Sequence, residues 1–147
     1  MKNAHVVVLL LLICTIAATL IAAQAVMQAN IRFSSVGAVK SLGVEVYWDK
    51  NCTKAVTVID WGILEPNSTT YRTIYIRNSG NSGVNLWLKS ENFVPSSASQ
   101  FLTLRWDYNN ETMLPNSVIQ ISLGLYIGEN VDNTTSFSFD IIITAYG

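Results

Sequence analysis

Across residues 42–143 apolar and polar residues trade places at every second position, and each such run stops at a cluster of Gly, Pro, Asn or Ser. That rhythm admits strands and little else, because successive side chains of a strand point to opposite faces. Residues 59–83 show it most clearly. Glu65-Pro66-Asn67-Ser68 is a turn, since proline presets its φ near the value wanted at the second turn position and Asn and Ser side chains bond nearby backbone. Thr70, Arg72, Ile74 and Ile76 then alternate with Tyr71, Thr73, Tyr75 and Arg77, a period of two in β-branched and aromatic residues. Asn78-Ser79-Gly80-Asn81-Ser82-Gly83 ends that strand, its glycines admitting positive φ, and the alternation resumes at Val84.

The same reading predicts a short strand over 30–35 that breaks near Gly37. A half-buried strand follows over 42–49, with Leu42, Val44, Val46 and Trp48 on one face, and another spans 56–61. Residues 91–100, rich in Ser, form a longer connection with one helical turn. Leu102, Leu104, Trp106 and Tyr108 share a face, as do Ile119, Ile121, Leu123, Leu125 and Ile127. Phe137, Phe139, Ile141 and Ile143 turn inward on the last strand. Pro66-Asn67-Ser68 and Pro115-Asn116-Ser117 each open a long alternating run, the echo expected of two similarly built halves of a Greek key. About eight strands without helices predict an all-β fold, an immunoglobulin-like or jelly-roll Greek-key β-sandwich.

The chain has 147 residues, enough for one domain, placed over 41–147 after a leader (1–25) and an N-terminal stretch (26–40) that is either an arm or the first strand. Half of its residues are hydrophobic. Of its two cysteines, Cys14 lies in the leader, so Cys52 has no partner inside the domain and no disulfide is expected. Stability then rests on burial, worth about 1.5–3 kcal/mol for each large apolar side chain. Trp48, Trp61, Trp87 and Trp106 are read as core or sheet-end packing, with a carbohydrate-binding aromatic platform as the alternative.

Ahead of the domain, residues 6–23 form an uncharged, mostly apolar run. It is longer than the roughly 7–15 residues of a signal core and just reaches the ~18 needed to span a bilayer. A cleaved export signal with Ala23-Gln24-Ala25 at the cut, or a retained membrane-anchoring helix, both fit, and both place the domain outside the cell. A prepilin leader cut after Ala4, making the apolar run the helical core of an archaeal pilin-like subunit, is the third fate. Sequons at Asn51, Asn67, Asn110 and Asn133, all in predicted loops, are glycosylation candidates and agree with an extracellular or cell-surface location.

His5, the one histidine, sits in the leader. A Ser/His or Cys/His nucleophile and a histidine zinc site are therefore not expected in the domain. Glu45, Asp49, Asp60, Asp107 and Asp140 read as solvated sheet positions, and Gly128-Glu129-Asn130-Val131-Asp132-Asn133 is a weak match to a Ca²⁺ loop. No catalytic residue, metal or cofactor is expected. A net charge of −1 with basic residues scattered singly argues against nucleic acid and against any membrane contact beyond the leader.

Several blocks resemble secreted β-sandwich proteins of prokaryotic, and by the mix of Tyr, Trp, Asn and Thr archaeal, surfaces: the camelysin and TasA-like group of filament subunits. The resemblance is carried by the apolar leader, by Ser34-Ser35-Val36-Gly37-Ala38-Val39-Lys40, by Trp61-Gly62-Ile63-Leu64-Glu65-Pro66-Asn67-Ser68, and by Tyr75-Ile76-Arg77-Asn78-Ser79-Gly80-Asn81, which is similar to the family's Asn-x-Gly hairpin. It implies a non-enzymatic structural subunit of an extracellular filament, whose partners are other copies of itself. It also implies assembly by strand donation from residues 26–35, with Val26, Ile31 and Phe33 supplying the apolar face. Two other arrangements remain open: a first strand folded back on its own domain, and a membrane-anchored monomeric module that binds glycans or a neighbouring protein.

Overall fold

Eight of the alternating runs pair into two four-stranded sheets in a computed structural model of the chain, which describes residues 33–131 and 136–147. The chain divides into two units, Met1–Asn30 and Ile31–Gly147, and all described residues belong to the second. Its strands are β1 (Phe33–Leu42), β2 (Glu45–Tyr47), β3 (Val58–Leu64), β4 (Ser68–Arg77), β5 (Asn85–Val94), β6 (Leu102–Trp106), β7 (Val118–Ile127) and β8 (Ser136–Tyr146). One sheet has the order β3-β1-β8-β5 and the other β2-β4-β7-β6. All neighbours are antiparallel except β1 and β8, the first and last strands, which run parallel.

The inward faces are those the alternation assigns. Ile74 and Ile76 of β4, Ile121, Leu123, Leu125 and Ile127 of β7, and Phe137, Phe139, Ile141 and Ile143 of β8 are buried together between the sheets. Phe93 stacks on Phe139 at 5.3 Å between ring centroids, and Trp106 meets Tyr108 edge-on at 5.2 Å. Leu102, Leu104, Trp106 and Tyr108 all face this core.

The paired Pro-Asn-Ser turns are the same piece of geometry used twice. Asn67 and Asn116 both adopt positive φ, 55° and 60°, which Asn tolerates better than most residues. Ser68 Oγ donates to Glu65 O (2.6 Å) and Ser117 Oγ to Leu114 O (2.7 Å). Each turn feeds a central strand of one sheet, β4 or β7, and these pair antiparallel from Ser68 opposite Ile127 to Arg77 opposite Val118. The amide of Asn67 donates to Gly128 O just past β7, and that of Asn116 to Asn78 O just past β4. Each turn thereby clamps the far end of the other's strand.

Three expectations are corrected. The first strand does not break at Gly37 but runs on to Leu42, and the predicted strand over 42–49 is divided. Gly43, at φ +81°, and Val44 there carry the chain from one sheet to the other. Nor is Asn78–Gly83 a hairpin: it links β4 to β5 in the opposite sheet, and among the seven connections only β6 to β7 joins neighbours in one sheet. Alternation reports which face a residue takes and is silent on which sheet its strand joins.

Leu123 is fully buried at the centre of β7, so Leu123→Ala is expected to lower the unfolding free energy by about 2–5 kcal/mol. Urea titration would read this as a lower midpoint at unchanged slope.

Candidate functional site

The feature that sets this sandwich apart is the slot filled by β1. Among the described residues β3 is laddered only to β1, so β1 alone joins it to β8 and the rest of its sheet. Phe33, Ser34 and Ser35 lie opposite Leu64, Ile63 and Gly62, and the pairing continues beyond a bulge to Ala38 opposite Val58. On the other side Ser34 to Leu42 run parallel to Ser136 to Thr144.

Over Ser35 to Val39, at the centre of β1, what enters the slot is small. Ser35 is completely buried, Gly37 is buried, and Val39 packs at the margin of the core. A Cβ added at Gly37 would stand 2.9 Å from Ile141 Cδ1 and 3.2 Å from Trp61 Nε1, so the glycine lets both side chains close over the strand. The fit is imperfect in polarity: Ser35 Oγ and Trp61 Nε1 are buried without a hydrogen-bond partner. Such groups forfeit their hydration with nothing in return.

The opposite wall is held from the other sheet. Gly62, at φ +78°, forms the bulge of β3, and its amide donates to Asp60 Oδ1 (2.8 Å). Arg72 of β4 reaches across to donate from Nε to Asp60 O (3.0 Å) and from Nη2 to Trp61 O (2.9 Å), its guanidinium 5.9 Å from the centre of the Trp61 ring. These bonds satisfy backbone carbonyls where a strand edge would otherwise invite another chain. Other edges are also covered. Residues 54–56 lie along β2 through Trp48 N to Lys54 O and Val56 N to Val46 O, and the Leu86 amide of β5 donates to Tyr108 Oη (3.2 Å), which itself donates to Glu111 O.

Of the expected donor residues, Val26 and Ile31 lie outside the described residues. Phe33 opens β1 and pairs within its own chain. In any unbroken strand Val26, five positions before Ile31, would take the opposite face from Ile31 and Phe33. Among the sequons, Asn51, Asn67 and Asn110 are exposed, the latter two at positive φ, and Asn133 lies outside the described residues. So do Asp132 and Asn133 of the Ca²⁺-loop match.

The carboxylates are dispersed and individually engaged. Asp107 Oδ1 accepts the Ser122 amide (2.8 Å), and Asp140 Oδ2 accepts Asn92 Nδ2 (2.7 Å). Glu45 Oε2 accepts the Tyr47 hydroxyl (2.9 Å), which holds that phenol above its ordinary range. Asp49, predicted on a strand face, instead closes the turn after β2 by accepting Thr53 N, Thr53 Oγ1 and Lys54 N. Loss of hydration there works to raise its pKa, and the bonds from Lys54 and Thr53 outweigh this and leave it lowered. No group of three His, Cys, Asp or Glu side chains gathers among the described residues, nor is any helix among them long and apolar enough to cross a membrane. Cys52 is a free thiol, half-buried, at φ 57°.

The tryptophans separate by role. Trp61 is core and Trp106 packs against it, while Trp48 is exposed at a strand end and Trp87 is 60% exposed on the outer face of β5. Two structural residues escaped the alternation. Asn78 is fully buried, donating from Nδ2 to Ser82 O and Met113 O and accepting from Gly80 N. Arg72 is the other. Its one sequence signal is a charge on an otherwise inward-facing row.

No known family matches the chain, and no curated protein matches it.

Ser35→Ala removes the orphaned hydroxyl and is expected to raise stability by about 1 kcal/mol, read by urea unfolding. The lowered pKa of Asp49 makes its contribution complete above the unfolded carboxylate value of about 3.9 and lost as pH falls through the folded value. The melting-temperature deficit of Asp49→Asn should therefore be largest near neutral pH and close in acid, below about pH 4.

Proposed function

We propose that the chain is a non-enzymatic structural subunit of an extracellular surface filament, with copies joined by donation of the N-terminal strand. The single observation behind this reading is the placement of β1: it lies inside a sheet, bridges two strands that share no other ladder, and follows directly on the N-terminal unit. The strand that fills the slot in its own chain makes the same backbone pairs when supplied by another copy, so exchange conserves the contacts and shifts only the connection. Gly43 and Val44, the link after β1, are where the chain would redirect. A head-to-tail exchange of this kind yields a fibre when the rotation between successive copies does not close into a ring.

Edge protection supports exchange into the slot over simple addition at the borders made by β2, β3 and β5, because Arg72, residues 54–56 and Tyr108 already occupy some of the backbone groups an added strand would use there. The exposed sequons at Asn51, Asn67 and Asn110 support an extracellular setting. Of the two finer fold descriptions we favour the immunoglobulin-like one, in keeping with about 110 residues in two four-stranded sheets.

Ala38 and Val58 are directly opposed in the β1–β3 register, so a cysteine pair there reports the origin of the strand. In a background carrying Cys14→Ser and Cys52→Ser, filaments of the Ala38→Cys/Val58→Cys variant should give a ladder of covalent oligomers on a non-reducing gel. Filaments that yield only cross-linked monomer would refute donation, and a full chain that forms no polymer by negative-stain microscopy would refute the filament.

A further inference from the structure

The outer face of the β2-β4-β7-β6 sheet carries a groove of about 580 Å³ that the assembly reading does not use. Its floor is Gly124 and Ser122 on β7, and its sides are Thr69 and Tyr71 of β4, Tyr126 of β7, and Arg105 and Asp107 at the β6 end. The register explains the hollow. Gly124 lies between Tyr71 and Arg105 across the two ladders, so the middle of the row has no side chain. A Cβ at Gly124 would stand 2.9 Å from Tyr71 Cε1 and 3.2 Å from Cδ1. The glycine therefore lets the Tyr71 ring settle against the sheet while 65% of the residue stays open to solvent. Tyr126 is held by its hydroxyl, which donates to Asn67 Oδ1 (3.2 Å).

Polar groups ring these aromatics, and they balance. Arg105 brings donors and Asp107 a carboxylate, one of whose oxygens is held by the Ser122 amide. Thr69 and Ser122 add hydroxyls that donate or accept. One positive and one negative group leave the groove without the single-sign field that selects nucleic acid, phosphate or a polycation. Apolar ring faces beside mixed donors and acceptors, with the charges offset, complement a ligand that presents C–H faces and hydroxyl edges and carries no charge.

We infer that this groove is a binding site for a neutral oligosaccharide of another molecule, stacked on Tyr71 and Tyr126 and hydrogen-bonded by Arg105, Asp107 and Thr69. It lies on the sheet that does not contain β1 and is independent of the filament reading. The volume is that of a site for a few linked rings. Trp87, exposed on the other sheet, takes no part.

The test is saturation-transfer NMR on the full chain, in buffer free of sugar-headed detergents, with cellohexaose, laminarihexaose and mannohexaose as probes and inorganic polyphosphate as the anionic control. At least one hexasaccharide should show transfer at its ring protons, and polyphosphate none. Tyr71→Ala should weaken that binding about tenfold, and Tyr71→Phe should retain it, because the ring and not the hydroxyl makes the stack. Both substitutions lie on an exposed side chain, and a circular-dichroism spectrum matching the parent checks the fold. Absence of transfer from all three hexasaccharides at millimolar concentration overturns the inference. So does transfer that persists in a Tyr71→Ala/Tyr126→Ala variant, or binding of polyphosphate alone.

Discussion

The two ladders of β1 are the constraint on which the rest of the molecule depends. They hold β3 to β8, and through β8 to β5, so one N-terminal segment decides whether the sheet has four strands or falls into unconnected parts. At its centre, from Ser35 to Val39, the strand achieves this with little side-chain mass. Ser35 and Gly37 occupy the buried positions that Ile and Leu fill on β7, and the bulk is supplied from outside by Trp61 and Ile141. Its hold at that centre is therefore mainly backbone hydrogen bonding, which is indifferent to which copy of the chain provides it.

The surrounding structure limits the alternatives to that strand. Arg72 crosses between the sheets to satisfy β3 carbonyls, and Tyr108 holds an amide of β5. Both remove backbone groups from the reach of a stray strand, a common protection against sheet-edge aggregation. Among the described residues neither a cysteine pair nor a cluster of three metal-ligating side chains adds to burial and backbone pairing, which makes such protection important.

The inward faces were legible residue by residue, because strict alternation in β4, β7 and β8 leaves one choice of side. The Pro-Asn-Ser echo was also legible, and its meaning proved tighter than a repeated half: two left-handed asparagines clamp the ends of one antiparallel pair. Sheet membership was not readable, since β3 to β4 and β4 to β5 cross between layers through turns whose composition would serve a hairpin equally well. Gly37 misled for a related reason. A glycine within a run signals a break or a close approach, and only the Trp61 indole, brought in from a distant strand, decides between them. Nothing along the chain announces the groove either, because Tyr71, Tyr126 and Arg105 become neighbours only through register.

The parallel alignment of the first and last strands determines how the domain would meet tension between its two ends. Nine register pairs tie Ser34 through Leu42 to Ser136 through Thr144. When the N-terminal start of one strand and the C-terminal finish of the other are drawn apart, the strands slide past each other, and the pull is shared by all these bonds at once. An antiparallel pairing of the same strands would peel open one bond at a time. A body strung in series by its termini is thus wired for shear along the seam between its first and last strands.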